Sequence, residues 1–173
     1  MGLTAERLRE VLIYDPETGR FTRRAKTGKK GLVGALVGCQ KPDGRWLIAI
    51  DGKTFFASRL AWLYVHGKWP VSDVDHINRD PSDDRLANLR AATRGQNMAN
   101  KTIHKNNKSG LKGVHLHPET GKWRAQIRIN RKSRHLGLFS TKGEASAAYL
   151  SAALTQFGDF ATSGDRSPSP SDK

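Results

Sequence analysis

Between residues 101 and 110 the chain reads KTIHKNNKSG, with Ile103 as its one apolar side chain, and on either side of it a separate series of short apolar clusters begins. A polar, basic segment of this kind belongs at a surface, because buried loop backbone would leave its polar groups unpaired. The 173 residues are therefore expected to fold as two small units and not around one large interior. With 36% hydrophobic residues and a mean hydropathy of −0.62, each half can build a small core, and a large cofactor-binding enzyme is not expected. The apolar patch at residues 32–38 is far below the roughly 18 residues a membrane span needs. No basic region followed by an apolar core opens the chain, and Glu6 stands where a myristoylation motif wants Ser or Thr. No membrane association is expected. A single Cys39 permits neither a disulfide framework nor a Cys-rich zinc site, which points to a reducing, cytoplasmic setting and to His, Asp or Asn as ligands of any metal.

Thr4 is a plausible N-cap for a helix over residues 5–13. Residues 14–24 read as a hairpin around Asp15-Pro16-Glu17-Thr18-Gly19, and residues 46–50 and 53–56 as another around Asp51-Gly52. A helix at 58–66 is ended by Gly67, with Pro70 barring its continuation. Past the break, residues 113–117, 123–129 and 135–139 read as three strands, the last two joined by a polar turn at 130–133, and Thr141 opens an Ala-rich helix to about residue 156. Nothing before residue 72 looks catalytic.

Lys and Arg number 30 against 16 Asp and Glu, a net charge of +14, and such an excess calls for a polyanionic partner, nucleic acid first. The excess has one acidic interruption: Asp73, Asp75, Asp80, Asp83 and Asp84 fall within a dozen residues. Carboxylates so close on a phosphate-seeking protein predict a cation among them.

That interruption opens the densest polar stretch, residues 73–101. It reads as a strand (74–77), a long polar loop, a second strand (89–91) and a helix with Thr93 and Gln96 spaced as a capping box. A His is the side chain best matched to take a proton from water near neutral pH, and carboxylate and amide oxygens suit Mg²⁺ or Mn²⁺ better than Zn²⁺. Adjacent strand residues point to opposite faces, so Asp75 and His76 can serve one site only if the strand ends or bulges there.

The run Asp75-His76, then Asn88-Leu89-Arg90, then Gln96-Asn97-Met98-Ala99-Asn100 resembles the His-Asn-His (HNH) endonucleases of the ββα-metal class, in the His-Asn-Asn form of phage and intron-borne homing enzymes. The resemblance implies His76 as general base, Asn88 as the residue that braces the loop and orients that base, and Asp75 and Asn97 as ligands of one Mg²⁺ or Mn²⁺. Asn100 is a weaker candidate for support of that metal or for a phosphate contact.

In the second half, Trp123, Ala125, Ile127 and Ile129 alternate with Arg124, Gln126, Arg128 and Asn130, placing the first set on a core and the second on an open face. Ala145, Ala148, Tyr149 and Ala152 recur at helical spacing as the other wall of that core. The open face is expected to carry Lys112, His115, His117, Arg124, Gln126, Arg128, Ser133 and His135, with Arg131, Lys132 and Arg134 near its edge where phosphates would lie. Gly113-Val114, GKWRAQI at 121–127, LGLF at 136–139 and EASAAY at 144–149 are similar to the APETALA/ethylene-responsive-factor DNA-binding domain over about residues 110–161. The resemblance implies a three-stranded sheet in the major groove, with Arg124, Arg128 and Gln126 as base readers. His115, His117 and His135 replace Arg or Trp of the plant members, so their target sequence does not carry over.

The chain is accordingly read as α+β, a ββα-metal nuclease module followed by a three-stranded antiparallel sheet packed on one helix. Residues 1–100 form an N-terminal region with its nuclease core at about 72–101, residues 101–110 a basic linker, 111–161 the DNA-binding domain and 162–173 a disordered tail. The activity implied is metal-dependent cleavage of double-stranded DNA by a homing-type, nicking endonuclease. It would act as a monomer or weak dimer, without membrane or small-molecule cofactor, in the cytoplasm of a host cell if phage-encoded. The alternative is a sequence-specific DNA-binding regulator with an inactive HNH-like module.

Overall fold

A computed structural model describes residues 2–26, 32–104 and 106–164. The expected tail lies outside the described residues from residue 165 onward, as does Lys105 of the basic stretch. Helices alternate with small antiparallel sheets, so the fold is α+β. The chain divides into two compact units between Ala92 and Thr93. The hydropathy pattern breaks at Lys101; the packing breaks at Thr93.

In the first unit the Thr4 hydroxyl accepts the Arg7 amide at 3.2 Å and starts α1 (Ala5–Val11). The helix stops at Val11, short of the expected residue 13, because Leu12 is already extended and opens β1 (Leu12–Asp15). β1 pairs with β2 (Arg20–Arg23) across a turn in which the Asp15 carboxylate accepts the Glu17 amide at 2.9 Å and the Thr18 hydroxyl at 2.7 Å. A second sheet has the order β3 (Cys39–Gln40), β4 (Trp46–Ile50), β5 (Lys53–Phe56). Its β4–β5 hairpin turns on Asp51 and Gly52 with φ of 48° and 75°, the left-handed pair that a tight hairpin requires. β3 carries no apolar alternation, and its two exposed residues gave no strand signal. α2 (Ala57–His66) ends at Gly67, whose amide returns to the Leu63 carbonyl. Leu8, Phe21, Ile48, Leu60 and Leu63 are fully buried in one core. Leu89 belongs to the same core and anchors β7 (Leu89–Ala92), the partner of β6 (Asp73–His76).

The second unit opens with α3 (Arg94–Asn100), started by the expected capping box: Thr93 Oγ1 accepts the Gln96 amide at 3.3 Å, and Gln96 Oε1 accepts the Thr93 amide at 2.8 Å. The Lys112 ammonium donates to the carbonyls of Ala99 and Lys101 at the other end of α3. β8 (Val114–Leu116), β9 (Trp123–Ile129) and β10 (Lys132–Phe139) form an antiparallel sheet with β9 central, and α4 (Lys142–Phe157) packs on it. Val114, Ala125 and Ile127 are buried with Ala145, Tyr149 and Ala153, while Ala148 and Ala152 of the expected helix face are only partly covered. At Gly113 (φ +68°) an added Cβ would lie 2.2 Å from the Tyr149 ring and 2.5 Å from the Gln126 carbonyl oxygen. No larger residue fits there. β10 begins at Lys132 and not at His135, because Asn130 and Arg131 alone, with φ of 49° and 66°, make the turn.

Candidate active site and candidate nucleic-acid interface

β6 and β7 are paired in regular register, Asp75 opposite Arg90 and His76 opposite Leu89, and β6 ends at His76. The loop between them holds itself together through its own polar side chains. Asn88, buried, accepts the Asn78 amide on Oδ1 at 2.9 Å and donates from Nδ2 to Asn78 Oδ1 at 2.9 Å and to the Asp83 carbonyl at 2.8 Å. Asn78 Oδ1 also accepts the Asp80 amide, and Asp80 Oδ1 accepts the amide and hydroxyl of Ser82. One side chain thus ties both ends of the loop, while the His76 ring, which Asn88 was expected to orient, faces Asp84.

The neighbours Asp75 and His76 have different partners. Asp75, 4% exposed, accepts Arg90 Nε on Oδ2 at 2.9 Å. His76 sits at the strand end with Nε2 2.9 Å from Oδ1 of Asp84, a residue only 3% exposed. Asp84 is itself anchored from the N-terminal hairpin: the buried Tyr14 hydroxyl donates to its carbonyl at 2.7 Å, and burial together with the nearby Asp84 charge pushes the Tyr14 hydroxyl well above its ordinary pKa. Gly19 (φ +72°) backs the same segment so closely that a Cβ would meet the Asp84 and Arg85 backbone at 2.5 Å. Residues before 72 thus support the candidate site. Sequence reading assigned no site role to Tyr14, Gly19, Arg90 or Asp84, although Arg90 stood in the motif, Gly19 in the hairpin turn and Asp84 in the acidic run.

Asp75, Asp80, Asp83 and Asp84 of that run meet protein groups. Asp83 accepts Arg85 through both carboxylate oxygens at 2.7 Å, and this guanidinium holds its carboxyl below the usual carboxylate range; Asp75 meets Arg90, Asp80 the Ser82 turn and Asp84 the His76 ring. Arginine is the cation that two of these carboxylates, Asp75 and Asp83, meet. Among the described residues no three His, Cys, Asp or Glu side chains are grouped to hold a metal ion. The donor chemistry at Asp75, a buried hard carboxylate, nevertheless fits Mg²⁺ or Mn²⁺, which would share that carboxylate with Arg90 or displace it. Asn97 and Asn100 lie on α3 of the second unit, Asn97 half-buried and Asn100 buried.

On the sheet of the second unit, residues directly opposite one another share a face. Arg124 stands between His115 and Leu138, Gln126 opposite His135, and Arg128 opposite Ser133. The alternating face expected on β9 is therefore continued on both neighbours. Among the described residues, no side-chain hydrogen bond is made by Arg124, Gln126, His115 or His135, whereas Arg128 Nε donates to the Arg131 carbonyl at 3.3 Å within its own turn. His117 follows β8, with Nδ1 3.2 Å from the Thr120 hydroxyl oxygen. Lys112, expected on this face, lies elsewhere, and Lys132 and Arg134, expected near its edge, are on the edge strand β10. Lys112 closes the end of α3. Lys132 and Arg134 pair with Ile129 and Ile127, which puts them on the helix side of the sheet, opposite the Arg124 face. The irregularity between His135 and Gly137 is what returns Leu138 to the open face beside Arg124. Arg131 lies in the turn, exposed.

Residues 55–99 match the family model of the HNH endonucleases, and enzymes of that family are in general divalent-metal-dependent nucleases acting on DNA. The chain is 37% identical over 75 residues to Protein 3.8 of Escherichia phage T7, covering 43% of this chain and 62% of the phage protein. It is 29% identical over 91 residues to the ethylene-responsive transcription factor-like protein At4g13040 of Arabidopsis thaliana, covering 53% of this chain and 38% of the plant protein. The chain thus spans less than two thirds of either relative. No solved structure matches it significantly. Among the described residues no helix is long and apolar enough to cross a membrane.

Proposed function

We propose that the chain is a metal-dependent endonuclease of the homing type that nicks double-stranded DNA, with a nuclease module at about 72–101 and a major-groove reader at 111–161. The observation that carries the reading is the pinned loop inside the HNH-matching segment, where Asn88 ties residues 78 and 83 and His76 is held at the strand end. In this reading His76 takes a proton from a water whose oxygen forms a bond to phosphorus. The bond from phosphorus to the 3′ oxygen breaks, and that oxygen leaves with a proton from solvent. Asp75 and Asn97 are the proposed ligands of one Mg²⁺ or Mn²⁺, assigned from the motif. When bound, the cation supplies Lewis-acid stabilisation of negative charge on the phosphoryl oxygens and the departing oxygen. Arg124, Gln126 and Arg128 would read bases, with His115, His117, His135 and Arg131 around them. One such site per chain fits a monomer that cuts a single strand, in a host cytoplasm if the gene is carried by a phage.

A plasmid nicking assay decides it. Supercoiled DNA should be converted to open circle with Mg²⁺ and not with EDTA, and His76→Ala should lower the rate by about 10²–10⁴-fold while leaving DNA affinity unchanged. Retained cutting by the variant removes His76 as the base. DNA binding without nicking in Mg²⁺ or Mn²⁺ replaces the enzyme by a binding protein.

A further inference from the structure

We propose that Asp84 is the positioning residue for His76: its buried carboxylate accepts a hydrogen bond from Nε2–H and so leaves Nδ1 as the atom that takes the proton. The inference rests on His76 acting as the base. Its grounds are geometric. His76 Nε2 and Asp84 Oδ1 are 2.9 Å apart, and both side chains are withdrawn from solvent, 12% and 3% exposed. With Oδ1 as the acceptor of this contact, the nitrogen facing it is the donor, and in a neutral ring the lone pair then resides on the other nitrogen.

Two further observations separate this contact from incidental loop packing. Asp84 Oδ2 is buried with no hydrogen-bond partner among the described residues, an arrangement that costs stability and that loops of this kind normally avoid. Neighbouring Asp80 and Asp83, in contrast, are engaged by turn groups or by Arg85. Asp84 is also fixed from behind by Tyr14 and Gly19, so its side chain is aimed by backbone constraints that do not involve the ring. A residue held rigidly by one element, with an uncompensated carboxylate turned to a histidine on another, is built to orient that histidine. During turnover the water proton moves to Nδ1 and the ring becomes an imidazolium, while Nε2 keeps its proton toward Asp84, whose charge then faces a cation.

The test is a ¹⁵N spectrum of the full chain labelled at histidine, with the His76 resonances assigned by their loss in His76→Gln, alongside nicking kinetics. The neutral His76 ring of the wild type should carry its proton on Nε2. Asp84→Ala should give a mixture of tautomers and lower kcat about 10–100-fold with KM for DNA within about twofold. In the near-isosteric Asp84→Asn, kcat should follow the fraction of Nε2–H rings. A wild-type ring protonated on Nδ1, an unchanged tautomer in Asp84→Ala, or kcat within about twofold of wild type in Asp84→Ala overturns the proposal. Should the wild type fail to nick at all, the nuclease reading falls, and the tautomers of wild type and Asp84→Ala still decide whether Asp84 orients the ring.

Discussion

The loop at residues 77–88 and the outer face of the β8–β10 sheet are both rich in polar side chains, yet they dispose of them in opposite ways. In the loop, Asn78, Asp80, Asp83 and Asn88 bond to one another and to loop backbone. On the sheet, Arg124, Gln126, His115 and His135 stand in a row without such partners among the described residues. A network closed on itself is rigid and suits the placement of a reacting atom, whereas donors left facing water suit a partner that brings its own acceptors. Similar composition therefore predicts different behaviour once the hydrogen bonds are assigned.

The contrast breaks most readily at Asn88. Asn88→Ala removes three bonds from the loop and should lower nicking by about 100-fold or more and unfolding stability by about 1–3 kcal/mol, while duplex affinity is retained. Urea denaturation and gel-shift titration on one preparation check both halves; an equal loss of binding would mean the two regions are not independent. On the sheet, Arg124→Ala should cost about 1–3 kcal/mol of DNA affinity and relax preference at particular base pairs, read by selection from a randomised duplex pool.

Smaller effects sharpen the same division. Gly19→Ala should destabilise the fold by about 1–3 kcal/mol in thermal melts and slow cleavage, because the Cβ displaces the Asp84 backbone. Asp83 has its carboxyl lowered by Arg85, so the native state favours the ionised form. Its contribution is present above the unfolded pKa near ~3.9 and is lost as pH falls through the lowered native value. Acid unfolding followed by circular dichroism should therefore be shallower below about pH 4 in Asp83→Asn. Arg134→Ala, on the helix side of the sheet, should leave base preference unchanged and shift affinity by under about 0.5 kcal/mol. A change in preference as large as that of Arg124→Ala would reverse the assignment of faces.

Local signals were legible in the sequence where a few neighbouring residues decide the geometry. Thr93 with Gln96 started α3, Asp51-Gly52 turned the β4–β5 hairpin and Gly67 ended α2, since each acts within one turn of chain. Period-two alternation likewise identified the two sides of β9. Parity on β10 was not legible, because it depends on a turn reduced to Asn130-Arg131 and on an irregularity near Leu136 that leave no mark in composition. Lys112 looked like another surface cation until its ammonium was found on the α3 carbonyls. At the candidate site, Asp75, His76 and Asn88 stood out by their spacing, whereas the support of Asp84 by Tyr14 joins residues separated by 70 positions, beyond any local pattern.

The hairpin turn that backs Asp84 has a practical consequence for anyone wishing to transplant the HNH-matching segment. A gene fragment cut at the boundaries of the HNH match, residues 55–99, would discard Tyr14 and Gly19 together with Leu8, Phe21 and Ile48, the residues against which Leu89 and the loop are seated. A portable cassette has to begin at the first helix, so that the 15–19 turn stays in place behind Asp84.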